Sequence, residues 1–201
     1  VVAPSISSQF VYAKLGQVVA GMKALGFHTV IEAALGADMV AADEAGELAQ
    51  KGFLTSSCCP AFVDFIEKNF PAMTEHISHN LSPMATIAKY IKEREPESKI
   101  VFIGPCTAKK AEAAKEGVKG YIDGVLTFEE LQALFDSKDI DITALGEETL
   151  DNASYFGRIF ARSGGVTDAI AQAMKEQGIA FDFKPCVCDG IEACKIALLK
   201  K

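Results

Sequence analysis

The sequence has little of what marks several large protein classes. It contains no Trp and 3 His among 201 residues, and it has neither a GxGxxG nor a Walker pattern for binding phosphate. No apolar run approaches the roughly 20 residues of a membrane helix, and the first residues lack the basic region of a signal peptide. Lys and Arg do not cluster, and the net charge is −7, which disfavours a nucleic-acid interface. We therefore expect a cytoplasmic protein with no nucleic-acid partner and no membrane partner.

Six cysteines are present instead, and three of them, in two motifs, carry the argument. Adjacent Cys58 and Cys59 could pair with each other only in a strained ring, so reduced thiols are favoured over a disulfide framework. Cys59 precedes Pro60, and Cys106 precedes a helix expected from Thr107. A helix N-terminus favours the thiolate of a nearby cysteine. Cys59 and Cys106 are therefore candidate ligands of a soft metal, with two ordinary buried cysteines as the alternative.

Alternating apolar patterns predict an α/β fold of two lobes, with mostly parallel sheets flanked by helices. Strands are expected over 28–35, 99–105 and 140–145, and helices are expected to begin near Ala37, Pro60, Pro83, Thr127, Gly165 and Gly190. We expect a soft lobe boundary near 80–97, between a first lobe of residues 1–90 and a second of 91–201. Ligands in such folds lie beyond the carboxyl ends of strands. Both cysteine motifs occupy such strand-to-helix junctions.

Two segments carry a resemblance to a known family. Ser57-Cys58-Cys59-Pro60-Ala61-Phe62 and Pro105-Cys106-Thr107-Ala108-Lys109-Lys110-Ala111-Glu112 resemble the first two signature motifs of the [FeFe]-hydrogenase (iron-only hydrogenase) catalytic domain. Minor features agree in the same order along the chain: Ala3-Pro4-Ser5, Leu25-Gly26-Phe27, Ala37-Asp38, Ser82-Pro83 and Ile159-Phe160. The resemblance implies that family's fold and the reaction 2H⁺ + 2e⁻ ⇌ H₂ at an H-cluster, which joins a [4Fe-4S] cluster to a two-iron subcluster.

The resemblance also implies a role for each matching residue. Cys59 and Cys106 would be ligands of the [4Fe-4S] cluster, and Cys58 would carry protons with a near-neutral pKa. Lys109 would donate a hydrogen bond to a cyanide of the two-iron unit. The remaining implied residues form the cavity wall and the proton path: Ala3, Pro4, Ser5, Pro83 and Phe160 in the wall, and Glu44, Ser78 and Glu47 in the path, after a water next to Cys58.

Taken singly, Glu44 and Glu47 on one helix are usually a solvated face. Lys51 stands where the family usually has an arginine at the surface end of the path. The histidines His28, His76 and His79 are read as surface or satisfied residues.

Three departures from the family pattern qualify the expected activity. Gly104 replaces a usual Met and Met84 a usual Gln, and Ala161-Arg162-Ser163 replaces a usual Gly-Ala-Thr. These changes resemble the sensory or slow branches of the family. The third motif, with two further cysteines, does not occur before Lys201, so we expect a fragment in which the H-cluster is incomplete or absent.

The resemblance implies ferredoxin or accessory iron–sulfur domains as electron partners, and hydrogenase maturation proteins. Two alternatives stay open. One is an H₂-sensing regulatory domain. The other is a non-catalytic iron–sulfur or zinc-binding module that uses Cys186, Cys188 and Cys194, residues that also fit a strand end and a helix face.

Overall fold

The computed structural model describes residues 1–200, and helices make up most of the fold. Short 3₁₀ helices cover Pro4–Ser8, Pro71–His76, Ile142–Ala144 and Ile159–Ala161. The α-helices and strands follow in chain order: α1 (Leu15–Ala24), α2 (Ala33–Lys51), α3 (Pro60–Asn69), α4 (Pro83–Arg94), β1 (Val101–Gly104), α5 (Ala108–Ala113), β2 (Gly124–Thr127), α6 (Phe128–Ser137), α7 (Tyr155–Arg158), α8 (Gly165–Gln177) and α9 (Ile191–Leu199).

A small parallel sheet organises the centre of the fold. Strand β1 pairs with β2 from Val101 opposite Gly124 to Gly104 opposite Thr127. Val2 adds parallel bridges to Glu32 and to Ile103, so the N-terminal residues lie beside β1. The prediction of an α/β fold with parallel pairing is confirmed.

Local sequence signals fix several helix starts as expected. Pro60 and Pro83 occupy the first turn of α3 and α4, where a missing N–H costs nothing. The Ser82 hydroxyl accepts from the Ala85 amide at 3.4 Å. Thr127 and Glu130 form the predicted capping box at the start of α6.

Two predicted strands are wrong. In 28–35 only Glu32 makes a bridge, and α2 begins at Ala33, about one turn earlier than predicted, because alanine has the highest helix propensity. Residues 140–145 contain the 3₁₀ helix Ile142–Ala144 instead. Its first turn is capped by Asp141, whose Oδ1 accepts from the Thr143 amide at 2.9 Å.

Close packing of α2 on α4 brings two parts of the site together. A Cβ at Gly36 would lie 2.2 Å from the Pro83 carbonyl oxygen, so only glycine permits this approach. The largest hydrophobic cluster takes residues from both sides of 80–97, and the lobe boundary stays a prediction. Among residues 1–200, no helix is both long and apolar enough to span a bilayer.

Candidate functional site

The two cysteine motifs meet at the side chain of Lys109. Its ammonium group donates to the Cys58 carbonyl at 3.3 Å and to the Ser82 hydroxyl at 3.0 Å. It also forms an ion pair of 2.8 Å with Glu112, which is buried. Three segments distant in sequence therefore converge on one cation, and each of its three N–H donors has a partner within the protein.

The three thiols of the motifs differ in exposure. Cys59 is the N-cap of α3, and both Cys59 and Cys106 are exposed. Cys58 is partly buried, and burial raises the pKa of its thiol to about 11, while Ser56 acts in the opposite direction. The pKa of Cys58 thus lies above the near-neutral value that the resemblance implies, because burial disfavours the thiolate, and its role as a proton carrier stays a prediction.

The residues expected to line a cavity fall into two groups: Ala3, Pro4, Ser5 and Phe160 form one, and Pro83 belongs to the other. The Ala3 amide donates to the Ile103 carbonyl at 2.8 Å, which fixes the 3–5 segment beside β1 and hence beside the Cys106 motif. The 3₁₀ helix Pro4–Ser8, which includes Pro4 and Ser5, contacts the 3₁₀ helix Ile159–Ala161 that carries Phe160. Pro83 follows Ser82, the partner of Lys109. The structure thus places these residues near the motifs or near each other.

Glu44 is fully buried, in contrast to the solvated face that its helix spacing suggests when read alone. Its Oε1 accepts from the Ser56 hydroxyl at 2.9 Å. The same hydroxyl accepts from the Cys58 amide at 3.3 Å, so Ser56 lies between Cys58 and Glu44. Within the described residues, Glu44 Oε2 is buried without a hydrogen-bond partner. Burial raises the pKa of Glu44, although the hydroxyls of Ser56 and Ser78 oppose the rise.

Glu47 continues this line of polar groups toward solvent. The Ser78 hydroxyl donates to Glu47 Oε2 at 3.0 Å. Lys51 forms an ion pair of 2.8 Å with Glu47 Oε1, and the His79 ring nitrogen Nδ1 lies 2.9 Å from the same oxygen. Burial acts to raise the pKa of Glu47, but Lys51, Ser78 and the His79 amide outweigh it and hold the pKa below its usual value.

A cavity of about 530 Å³ lies beside this line, between α3, the segment 74–82 and the end of α5. Its lining includes Ser57, Ser78, Ser82 and Glu112. Water in this cavity can therefore reach Ser78, and also Ser82 and Glu112, the side-chain partners of Lys109.

The structure explains how two departures from the family pattern are accommodated. A Cβ at Gly104 would lie 2.6 Å from Cε1 of the Phe102 ring and 3.3 Å from Ala3 Cβ, so the Phe102 ring takes the space of a larger side chain. Met84 is buried in the main hydrophobic cluster. The site therefore has an apolar group where the resemblance expects an amide.

The donor set for an iron–sulfur cluster is partly present. A [4Fe-4S] cluster takes four thiolates or their equivalents, and the motifs supply the unpaired thiols of Cys59 and Cys106. Within residues 1–200, no three His, Cys, Asp or Glu side chains are grouped so that they could hold a metal ion. These residues fit half of such a donor set, and the alternative of a metal module at Cys186, Cys188 and Cys194 finds no ligand group.

Two residues of this site were missed from the sequence. Ser56 and Glu112 were not singled out, although both flank residues that were. The prediction that His79 is a surface or satisfied histidine is confirmed, because its ring is exposed and contacts Glu47 and Lys51.

The fold and the two cysteine motifs are those of a domain of the iron-only hydrogenase class, as the comparisons with known proteins show. The family described as "Iron only hydrogenase large subunit, C-terminal domain" matches residues 1–200, and the chain belongs to this family. It is 31% identical over 184 residues to iron hydrogenase 1 of Clostridium pasteurianum, covering 80% of this chain and 32% of that one. It is 35% identical over 142 residues to the cytosolic Fe-S cluster assembly factor NAR1 of Botryotinia fuckeliana, covering 60% and 25%.

Solved structures agree with these sequence relatives. A variant of [FeFe]-hydrogenase HydA1 from Chlamydomonas reinhardtii superposes with a TM-score of 0.69 at 26% identity, covering 87% of this chain and 52% of that one. The chain thus spans about a third of the length of the curated hydrogenase and about half of the solved chain.

Proposed function

We propose that this chain is the proton-handling half of a hydrogenase-type redox site, which catalyses 2H⁺ + 2e⁻ ⇌ H₂ in the intact protein. The observation that carries the proposal is a row of polar groups beside Cys58, in which Ser56 donates to Glu44 and Ser78 donates to Glu47. Ser78 also acts to lower the pKa of Glu44, so it lies between the two carboxyl groups. Burying a carboxyl group away from water costs stability. We expect such a cost to be retained where the group has a function, and transfer of protons to a buried reaction site is such a function.

In this proposal Cys59 and Cys106 hold the [4Fe-4S] cluster together with thiolates from beyond the described residues. An H-cluster, when bound, would relay electrons from the electron partner and supply the metal at which hydrogen forms. Lys109 ties the two ligand motifs to each other and to Ser82, so its first task is positioning. The ion pair of Lys109 with Glu112 would have to be kept, because a buried ammonium group without an anionic partner is strongly destabilising.

The two glutamates suit successive steps of proton transfer because their environments push their pKa values apart. Burial opposes ionisation of Glu47, but Lys51 outweighs it and favours the anion, so this carboxylate, at the solvent end of the row, can accept a proton from water. Glu44 has a raised pKa and holds a proton more readily. Its unpartnered Oε2 is the atom at which that proton can reside, and Ser56 leads from Glu44 toward Cys58.

The test is hydrogen evolution by the full-length, maturated protein with reduced methyl viologen. Glu44→Gln keeps the size of the side chain but removes its titration, and we expect turnover to fall by about 10²–10⁴-fold with the iron content unchanged. Ser56→Ala should reduce turnover less, because a water can replace one hydroxyl. Unchanged turnover in Glu44→Gln would reject the relay, and no turnover in the wild type would reject the hydrogenase proposal.

A second candidate is a role in iron–sulfur cluster assembly. It is favoured by the match to NAR1, a cytosolic Fe-S cluster assembly factor. It predicts that the loaded protein passes iron and sulfide to an apo-protein acceptor, and that Glu44→Gln leaves this transfer unchanged. An H₂-sensing role makes a different prediction from both: slow turnover, together with a signalling domain in the full gene.

Electron supply by ferredoxin or accessory iron–sulfur domains, and maturation by dedicated proteins, are parts of the hydrogenase proposal. A cytoplasmic location is supported by relatives named cytosolic. A relative named the periplasmic [Fe] hydrogenase large subunit, from Nitratidesulfovibrio vulgaris, supports the other compartment, and fractionation of the native host would decide between them.

A further inference from the structure

A second group of thiols lies apart from the two family motifs, in the segment that joins α8 to α9. The Sγ atoms of Cys186 and Cys188 are 3.8 Å apart. Cys194, in the first turns of α9, is close enough to affect the titration of Cys188. No role in the proposed hydrogen chemistry uses these residues.

We propose that Cys186 and Cys188 form a redox-active dithiol, which is oxidised to a disulfide by exchange with a small-molecule disulfide such as glutathione disulfide. The inference is independent of the proposed function. It concerns a site that the protein would have whether it makes hydrogen or assembles clusters.

The backbone presents both thiols on one side. Val187, between them, lies beside the Gly164 turn, where a Cβ on Gly164 would be 3.6 Å from Val187 Cγ2. The Sγ atoms of Cys186 and Cys188 lie 3.8 Å apart, so the two thiols share one side of the segment.

The segment is also free to close the remaining distance. A disulfide needs the two sulfur atoms about 2.05 Å apart, so the Sγ atoms must approach by less than 2 Å. Within the described residues, the main chain from Ala180 to Asp189 makes no hydrogen bond to other main-chain groups. Phe181 and Phe183 anchor the start of the segment by packing against the cluster between α2 and α8. The cysteines can thus move without disrupting a helix or strand.

The exposure of the two thiols assigns their order of reaction. Cys186 is exposed and Cys188 is partly buried. Burial, and then the contacts with Cys186 and Cys194, raise the pKa of Cys188 to about 11. Cys186 is therefore the thiol that meets a disulfide in solution, and Cys188 is the resolving thiol.

The exchange balances in two steps. The Cys186 sulfur attacks one sulfur of the small disulfide, whose S–S bond breaks, and the leaving thiolate takes the proton of Cys186. The Cys188 sulfur then attacks the Cys186 sulfur of the mixed disulfide, and the second small thiolate leaves with the proton of Cys188. Two electrons and two protons pass from the protein dithiol to the small disulfide, which becomes two thiols. A ring closed over one intervening residue is strained, so an excess of the reduced thiol should reopen it.

The test is mass spectrometry of the purified protein after incubation with glutathione disulfide, followed by blocking of free thiols and digestion on the amino side of Asp. Cleavage before Asp182 and Asp189 releases peptide 182–188, which contains Cys186 and Cys188 and excludes Cys194. We expect this peptide to become two hydrogens lighter and to carry neither block nor glutathione. Reduced glutathione in excess should restore two blockable thiols.

Two variants make the assignment specific. Cys188→Ser should stop after the first step and keep glutathione on Cys186, because the resolving thiol is gone. Cys194→Ser should form the light peptide as the wild type does. The inference is overturned if the wild-type peptide remains a dithiol, if it retains glutathione, or if Cys188 links to Cys194 instead. Cys188 lies in the segment before α9 and Cys194 in the first turns of α9, and an unchanged circular dichroism spectrum of each variant excludes misfolding as the cause.

Discussion

The burial of Glu44 makes a specific prediction about how stability depends on pH. Glu44 has a raised pKa in the folded protein because burial disfavours its charge. At a pH below the unfolded-state pKa of about 4.3, the side chain is protonated in both states and burial carries no charge penalty. As the pH rises through the folded-state pKa, the side chain ionises with Oε2 unpartnered, and the protein loses stability.

Glu44→Gln removes this titration while keeping the size of the side chain. An unsatisfied buried group costs about 1–3 kcal/mol, so the stability of the variant relative to wild type should rise by about that amount between pH 4 and pH 8. For a chain of this size, each kcal/mol corresponds to about 2–4 °C in Tm. Thermal unfolding of both proteins across this range measures the difference. Parallel stability curves for the two proteins would refute the buried, unpartnered carboxyl group.

Glu47→Gln is the matched control, with the opposite sign. The pKa of Glu47 is lowered in the folded protein, so its contribution is present above the unfolded-state pKa and is lost as the pH falls through the folded-state pKa. The variant should therefore be less stable than wild type at neutral pH, and the gap should close in acid.

Two further predictions concern the packing around the site. Gly36→Ala should destabilise the protein by about 1–3 kcal/mol, because its Cβ would meet the Pro83 carbonyl, whereas Gly46→Ala in the same helix has open space and should stabilise it by about 0.5–1 kcal/mol. Equal thermal shifts in these two variants would contradict the close contact of α2 with α4. Lys109→Met should cost about 3–5 kcal/mol because it leaves Glu112 charged and buried, and adding Glu112→Gln should recover most of that loss in urea titrations. No recovery would mean that Lys109 acts through its other two contacts.

Local signals in the sequence were enough to predict the elements that hold the cysteine motifs. Pro60 and Pro83 after a capping position, the Thr127 capping box and the buried run before Cys106 all specify short-range structure, and each formed as expected. The strand predicted over 28–35 failed because β-like residues there are followed by an alanine-rich run that favours helix. The close packing of α2 on α4 at Gly36 also stabilises the helix at this boundary.

The site was predictable to the extent that its residues matched family motifs. What could not be read from the sequence was how the motifs are joined. The role of Lys109 as a three-way contact depends on Ser82 and Glu112, which approach it through tertiary packing. Likewise, spacing alone makes Glu44 and Glu47 equivalent, whereas their burial, and the position of Lys51 and His79, give their pKa values opposite shifts.

The central claim is that Cys58 passes protons while Cys59 holds the cluster, and one paired measurement tests it directly. Iron content and hydrogen evolution with reduced methyl viologen are compared for Cys58→Ser and Cys59→Ser in the full-length, maturated protein. We predict that Cys58→Ser keeps its iron and loses turnover, because a serine hydroxyl does not give up its proton comparably, and that Cys59→Ser loses iron together with turnover. Wild-type turnover in Cys58→Ser, or loss of iron from it, would contradict the account.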